Sequence, residues 1–119
     1  MYYKDMEVWK EAINLVTNIY KITESYPKSE LFGLVNQMRR SVVSVVSNIA
    51  EGSVKHSKKE TLRFLDIAFG SLAELDTQII VSKNLGFLNN EEDIENRLSK
   101  VQALLKGLMN YCDEKILKN

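Results

Sequence analysis

Residues 37–52 read QMRRSVVSVVSNIAEG, and this stretch constrains the fold more than any other. Valine is β-branched, so the internal SVVSVVS has the composition of a strand. Its spacing argues for a helix instead. Leu34, Met38, Val42, Val45 and Ile49 recur at intervals of three and four, not two. The other side carries Gln37, Ser41, Ser44, Ser47 and Asn48, with Arg40 and Glu51 as its charged residues. A solvated helix face ordinarily carries lysine and glutamate. The pattern therefore predicts a helix contacted on both sides.

Three further segments share the helical period. The first runs from about Asp5 to Ser25, with Asp5 as its expected cap and Pro27 as its stop. Trp9, Ile13, Val16, Tyr20 and Thr23 form its expected stripe, flanked by Met6, Ala12 and Ile19. The second begins at Ser29 or Leu34 and ends near Gly52. The third opens on a capping box, Ser57 with Glu60, and ends before Gly86. Its stripe is Leu65, Ala68, Leu72, Leu75 and Ile79. The fourth begins at Asn89 or Asn90, where Glu91, Glu92 and Asp93 complement the positive helix end, and Lys115 and Lys118 complement the other. Ile94, Leu98, Val101, Leu105, Leu108 and Cys112 form its seam. Short connections make consecutive helices antiparallel, so the expected fold is all-α, an up-down-up-down four-helix bundle.

The 119 residues make one domain by length, with no linker composition anywhere, so residues 1–119 are expected to fold as a unit. Formal net charge is zero, which leaves no global electrostatic footprint for nucleic acid or membrane. The single cysteine cannot form an intrachain disulfide. The first residues lack an apolar signal-peptide core, and no apolar run approaches a membrane span. The expectation is a cytoplasmic protein with no membrane partner.

Two helices have more apolar arc than one bundle core needs. In the third, Leu62, Phe69, Ala73 and Ile80 extend beyond the central stripe; in the second, Val43, Val46 and Ala50 do. The excess predicts self-association, with Val43, Val46, Phe69 and Ile80 as interface candidates. The neutral-polar sector predicts a network among Gln37, Arg39, Arg40, Ser44, Asn48 and Glu51. Glu74 is expected to pair with Arg40 or Arg39, within the subunit or across an interface, while Gly70 and Ser71 permit close approach.

Enzymatic chemistry has little support. His56 is the only histidine and lies in a turn, Cys112 lies on a seam, and neither metal-ligand spacing nor a phosphate-cradling glycine loop is present. An inward Glu-x-x-His pair of the di-iron kind is absent. No catalytic residue, cofactor, metal or small-molecule substrate is expected. Lys55, His56, Lys58 and Lys59 make the one dense basic cluster, which Arg63 extends. Repeated across a self-associated assembly, such a turn would become a multivalent phosphate site for RNA or DNA, salt-sensitive and sequence-tolerant.

Specific residues also carry a family resemblance. They are Trp9 with Ala12, Tyr20 to Pro27, Glu30, Gly33, Leu34, Gln37, Arg39, Arg40, Ser44 and the NIAEG of Asn48 to Gly52. Phe64, Ala68, Gly70, Ser71, Glu74 and the Leu85-Gly86 turn complete the set. In this combination, over nearly its whole length, the chain resembles the S23-type bundle proteins associated with intervening sequences of bacterial 23S ribosomal RNA. The resemblance implies a bacterial bundle that assembles into a ring-like homo-oligomer, a pentamer, with no established reaction. It points to a scaffold or adaptor. The alternative is a nucleic-acid-binding accessory protein. A related branch, the accessory proteins of diversity-generating retroelements, binds nucleic acid and is strongly basic; this chain departs from it in having no net charge.

Overall fold

A computed structural model describes residues 2–89 and 92–118, with side chains except at 92 and 115–118. Among these residues are four α-helices and no strand: α1 (Glu7–Thr23), α2 (Leu34–Ser53), α3 (Lys58–Asn84) and α4 (Glu92–Lys118). Short 3-10 turns, Tyr3–Asp5 and Lys28–Glu30, precede α1 and α2. The expected cap of α4 at Asn90, the acidic residues Glu91 and Glu92, and the basic last turn at Lys115 and Lys118 lie outside the described residues or side chains.

Side-chain pairings fix the helix directions. Arg39 near the start of α2 bonds Thr23 and Tyr20 at the end of α1. Across α2 and α3, Ser44 meets Ser71 and Met38 meets Ser82. Lys83 late in α3 pairs with Glu95 early in α4, and Lys100 of α4 reaches Glu11 of α1. Consecutive helices therefore run antiparallel, α4 closes onto α1, and the backbones of diagonal helices stay farther apart than those of neighbours. The bundle measures 51 × 25 × 22 Å.

The predicted stripes of α2 and α3 are buried throughout, and that of α4 is buried except for half-buried Leu108. The stripe of α1 is shifted by one residue from expectation. Val8, Ala12, Leu15, Ile19 and Thr23 point inward, whereas Ile13 and Tyr20 are exposed and Trp9 and Val16 lie at the margin. Two apolar rows stand side by side on this helix. Periodicity establishes the helix but not which row faces the core.

Helix ends obey their local chemistry with two exceptions. Ser57 caps α3, accepting the Glu60 N–H at 3.0 Å, while the Glu60 carboxylate turns to Arg63. Gly86 has a φ of 79°, the left-handed conformation that glycine adopts without steric cost. Asp5 does not cap α1: it sits within the 3-10 turn, and Met6 takes the cap position without a side-chain bond. Pro27 does not end α1 directly. The helix stops at Thr23, whose hydroxyl donates to the Ile19 carbonyl at 2.7 Å, and Pro27 opens the following 3-10 turn.

The close approach of α2 and α3 lies at Gly52, not at Gly70. A Cβ on Gly52 would stand 3.2 Å from both Phe64 Cβ and the Thr61 carbonyl oxygen, whereas Gly70 faces open space. The Thr61 hydroxyl donates to the Gly52 carbonyl at 2.9 Å and ties the two helices at this point. Gly52→Val should therefore destabilise the protein by about 1–3 kcal/mol through overpacking against backbone. Gly70→Ala should stabilise it by about 0.5–1 kcal/mol through helix propensity. Denaturant midpoints of the two variants check both signs; equal midpoints would refute this placement of the contact.

Candidate functional site

The polar side of α2 does not form one network. It divides into two clusters on opposite shoulders of the helix. On the α3 shoulder, Asn48 donates to the Ser44 carbonyl at 2.8 Å and to its hydroxyl at 3.1 Å. The Ser44 and Ser71 hydroxyls lie 2.9 Å apart. On the α1 shoulder, Arg39 donates from Nε to the Thr23 hydroxyl at 3.0 Å and from Nη2 to the Tyr20 carbonyl at 3.3 Å. Its guanidinium carbon lies 4.6 Å from the Tyr20 ring centroid. Arg39 thus clasps α1 to α2 and is not available to Glu74.

Arg40 and Glu74 do not pair within the subunit. Both line an open groove between α2 and α3, with Asn36, Gln37, Ser44 and Gln78. The Gln78 side-chain oxygen is buried there without a hydrogen-bond partner. A buried acceptor left in this state costs about 1–3 kcal/mol. Glu51 is exposed at the end of α2.

The four apolar interface candidates do not share a surface. Val46 is 8% exposed and belongs to the subunit's own core. Val43, 38% exposed, lies in the shallow groove with Tyr20 and Arg39 on the α1 side of α2. Phe69 is half-buried beneath Lys106 of α4, and Ile80, 51% exposed, continues its row on the α4 side of α3. The bundle absorbs much of the broad apolar arc: Leu62 and Phe69 pack against the core from its margin.

The basic turn is exposed from Lys55 to Lys59. Lys55 lies over the Phe64 ring at 4.8 Å, and Arg63 stacks on the same ring at 4.5 Å. Arg63 is also committed to Glu60, 2.9 Å away, an ion pair that holds the Glu60 carboxyl below its usual range. Lys55, Lys58 and Lys59 make no ion pair among the described residues.

Below that turn lies a feature without a sequence signal. A cavity of about 250 Å³ opens between the turn and the end of α4. Met6, Ile49, Leu65, Leu108 and Cys112 contribute to its lining, although they are scattered from one end of the chain to the other. Burial pushes the Cys112 thiol above its ordinary value, and Lys58 opposes that shift. The described residues include no group of three or more histidine, cysteine or carboxylate side chains placed to hold a metal ion. No helix among them is long and apolar enough to cross a membrane.

The family model for the 23S rRNA-intervening sequence protein matches residues 4–109. A crystal structure of a protein of unknown function from the S23 ribosomal protein family of Bacteroides thetaiotaomicron superposes with a TM-score of 0.81. It is 19% identical over 92% of this chain and 99% of the other, a likeness of fold. No curated protein matches the chain significantly.

The Arg39 clasp gives a direct test of the α1–α2 joint. Arg39→Ala should lower stability by about 1–3 kcal/mol, because two hydrogen bonds and a stacked ring are lost together. Arg39→Lys should recover less than half of that loss, since an ammonium cannot reproduce the planar fork. Full recovery by lysine in chemical denaturation would show that charge alone matters there.

Proposed function

The chain belongs to the 23S rRNA-intervening sequence protein family, and from that premise we propose that it is a non-enzymatic, self-assembling bundle that acts as a scaffold or adaptor. The assembly is a closed homo-oligomer, with the pentamer implied by the family resemblance. The single observation that carries this reading is the α2–α3 groove. It holds one cation, Arg40, and one anion, Glu74, neither in an ion pair, beside the orphaned oxygen of Gln78. Arg40 also borders the groove on the other shoulder of α2, so in a head-to-tail ring it can face Glu74 of the next copy. The ridge of Asn36, Arg40 and Ser44 also separates this groove from the one beside Val43 and Tyr20, so α2 can seat against a neighbour on both shoulders. Self-complementary polar groups set register and partner choice, while exposed apolar side chains supply buried area.

A second reading rests on the exposed turn. At one end of the bundle Lys55, Lys58 and Lys59 make no ion pair among the described residues, and copies around a ring would multiply a weak phosphate site. The partner would be structured RNA or DNA. Affinity should then fall steeply with salt, and the triple alanine variant at Lys55, Lys58 and Lys59 should bind at least tenfold more weakly in a filter-binding titration. Unchanged affinity would remove the turn as the site.

Light scattering coupled to gel filtration tests the assembly. The native chain should elute at a multiple of 13.7 kDa. Arg40→Glu and Glu74→Arg should each lower the mass towards that of one chain, and the double reversal should restore it. A native protein at the mass of a single chain in the high micromolar range contradicts the proposal.

A further inference from the structure

The cavity at the turn end of the bundle has an apolar floor and a cationic mouth. Ile49 and Leu65 are buried core residues, and with Met6 and Leu108 they give the cavity its apolar lining. Lys55, His56 and Lys58 lie at the mouth, and no carboxylate lines the cavity among the described residues. Lys55 is drawn over the Phe64 ring, which leaves Lys58 as the uncommitted cation. The first turn of α3 stands beside it, its Lys58 and Lys59 N–H groups without an acceptor among the described residues. Two lining hydroxyls are spent as donors, Ser53 to the Ala50 carbonyl and Thr61 to the Gly52 carbonyl, while Ser57 accepts the Glu60 N–H and Tyr111 also borders the cavity. The site therefore offers an apolar floor beneath a polar rim whose charged side chains are lysines.

We propose that this cavity binds a single medium-chain carboxylate, its tail against Ile49, Leu65 and Leu108 and its head group at Lys58. The size fits the class. At about 250 Å³ the space lies just below the usual range for small-molecule pockets, enough for one short alkyl chain and too little for the paired chains of a phospholipid. The charge fits as well, because an anion at the mouth gains both the ammonium and the positive end of a long helix. Neither self-assembly through the α2–α3 groove nor phosphate binding at the outer face of the turn is needed for this site.

Titration of the intact protein with sodium octanoate, followed through the methyl NMR signals of Ile49, Leu65 and Leu108, tests it. Saturable shifts should appear at those methyls and be absent from Ile13 and Ile80. Affinity should rise about fourfold for each methylene from butyrate to octanoate, the transfer increment of a buried CH₂. Octanol, which lacks the charge, and Lys58→Glu with octanoate should each bind about tenfold more weakly. Lys58 is exposed and makes no bond that the fold requires, so the variant should keep the native methyl spectrum. Vesicles of anionic phospholipid should leave the three methyls unmoved; if they reproduce the shifts, the occupant is a lipid surface and the proposal fails. It fails equally if octanoate causes no saturable shift, or if Lys58→Glu and octanol bind as tightly as octanoate binds the native chain.

Discussion

The structure depends on how closely α2 and α3 can approach. These two helices form the most extensively packed pair in the bundle, and the residues between them are small. Gly52 touches the first turns of α3, Ser44 meets Ser71, and Ser41 is buried along the same seam. Small side chains bring the backbones together and let the valines of α2 fill the centre with Leu72, Leu75 and Ile79. The same choice of residues carries a consequence on the outside. A seam built from serine and glycine cannot cover its own outer edge, and the groove left there holds Arg40, Glu74 and the unpartnered Gln78 oxygen.

The bundle's two ends and its flanks take different work from this arrangement. At one end Tyr26 packs at a tilt against Phe87, and Arg39 fastens α2 to the last turn of α1. At the other, the α2–α3 turn lifts away from the end of α4 and leaves a pocket whose floor is core and whose rim is lysine. The flank between α2 and α3 has a third character, polar and concave, with the unpaired opposite charges of Arg40 and Glu74. Surfaces of three kinds thus share one small bundle.

The sequence was most legible where one physical signal dominated. Threes and fours in α2 outweighed the strand propensity of its valines, and the capping serine and left-handed glycine marked both ends of α3. Legibility failed where two signals had equal weight. The first helix carries adjacent apolar rows, and the larger residues Trp9 and Tyr20 drew attention to the row that faces outward. Of two adjacent arginines, Arg39 reaches α1 and Arg40 the groove, a division set by their rotation about the helix axis by about 100°. Val43 and Ile80 are both exposed, yet they sit on opposite shoulders of the α2–α3 pair, which a wheel drawn for each helix separately does not reveal. The cavity gave no signal at all, because its lining comes from Met6 to Cys112 and only the closed bundle brings these residues together.

Hydrogen exchange resolved to single amides, at low and high protein concentration, tests most directly whether α2 is the packed centre of the subunit and also the side that meets a neighbour. Slow exchange reports opening of the most stable packing. The account predicts that the middle of α2, from Met38 to Ile49, exchanges more slowly than α1 or α4 and slows further as concentration rises. Exchange of that stretch at the pace of the outer helices, unmoved by concentration, would contradict it.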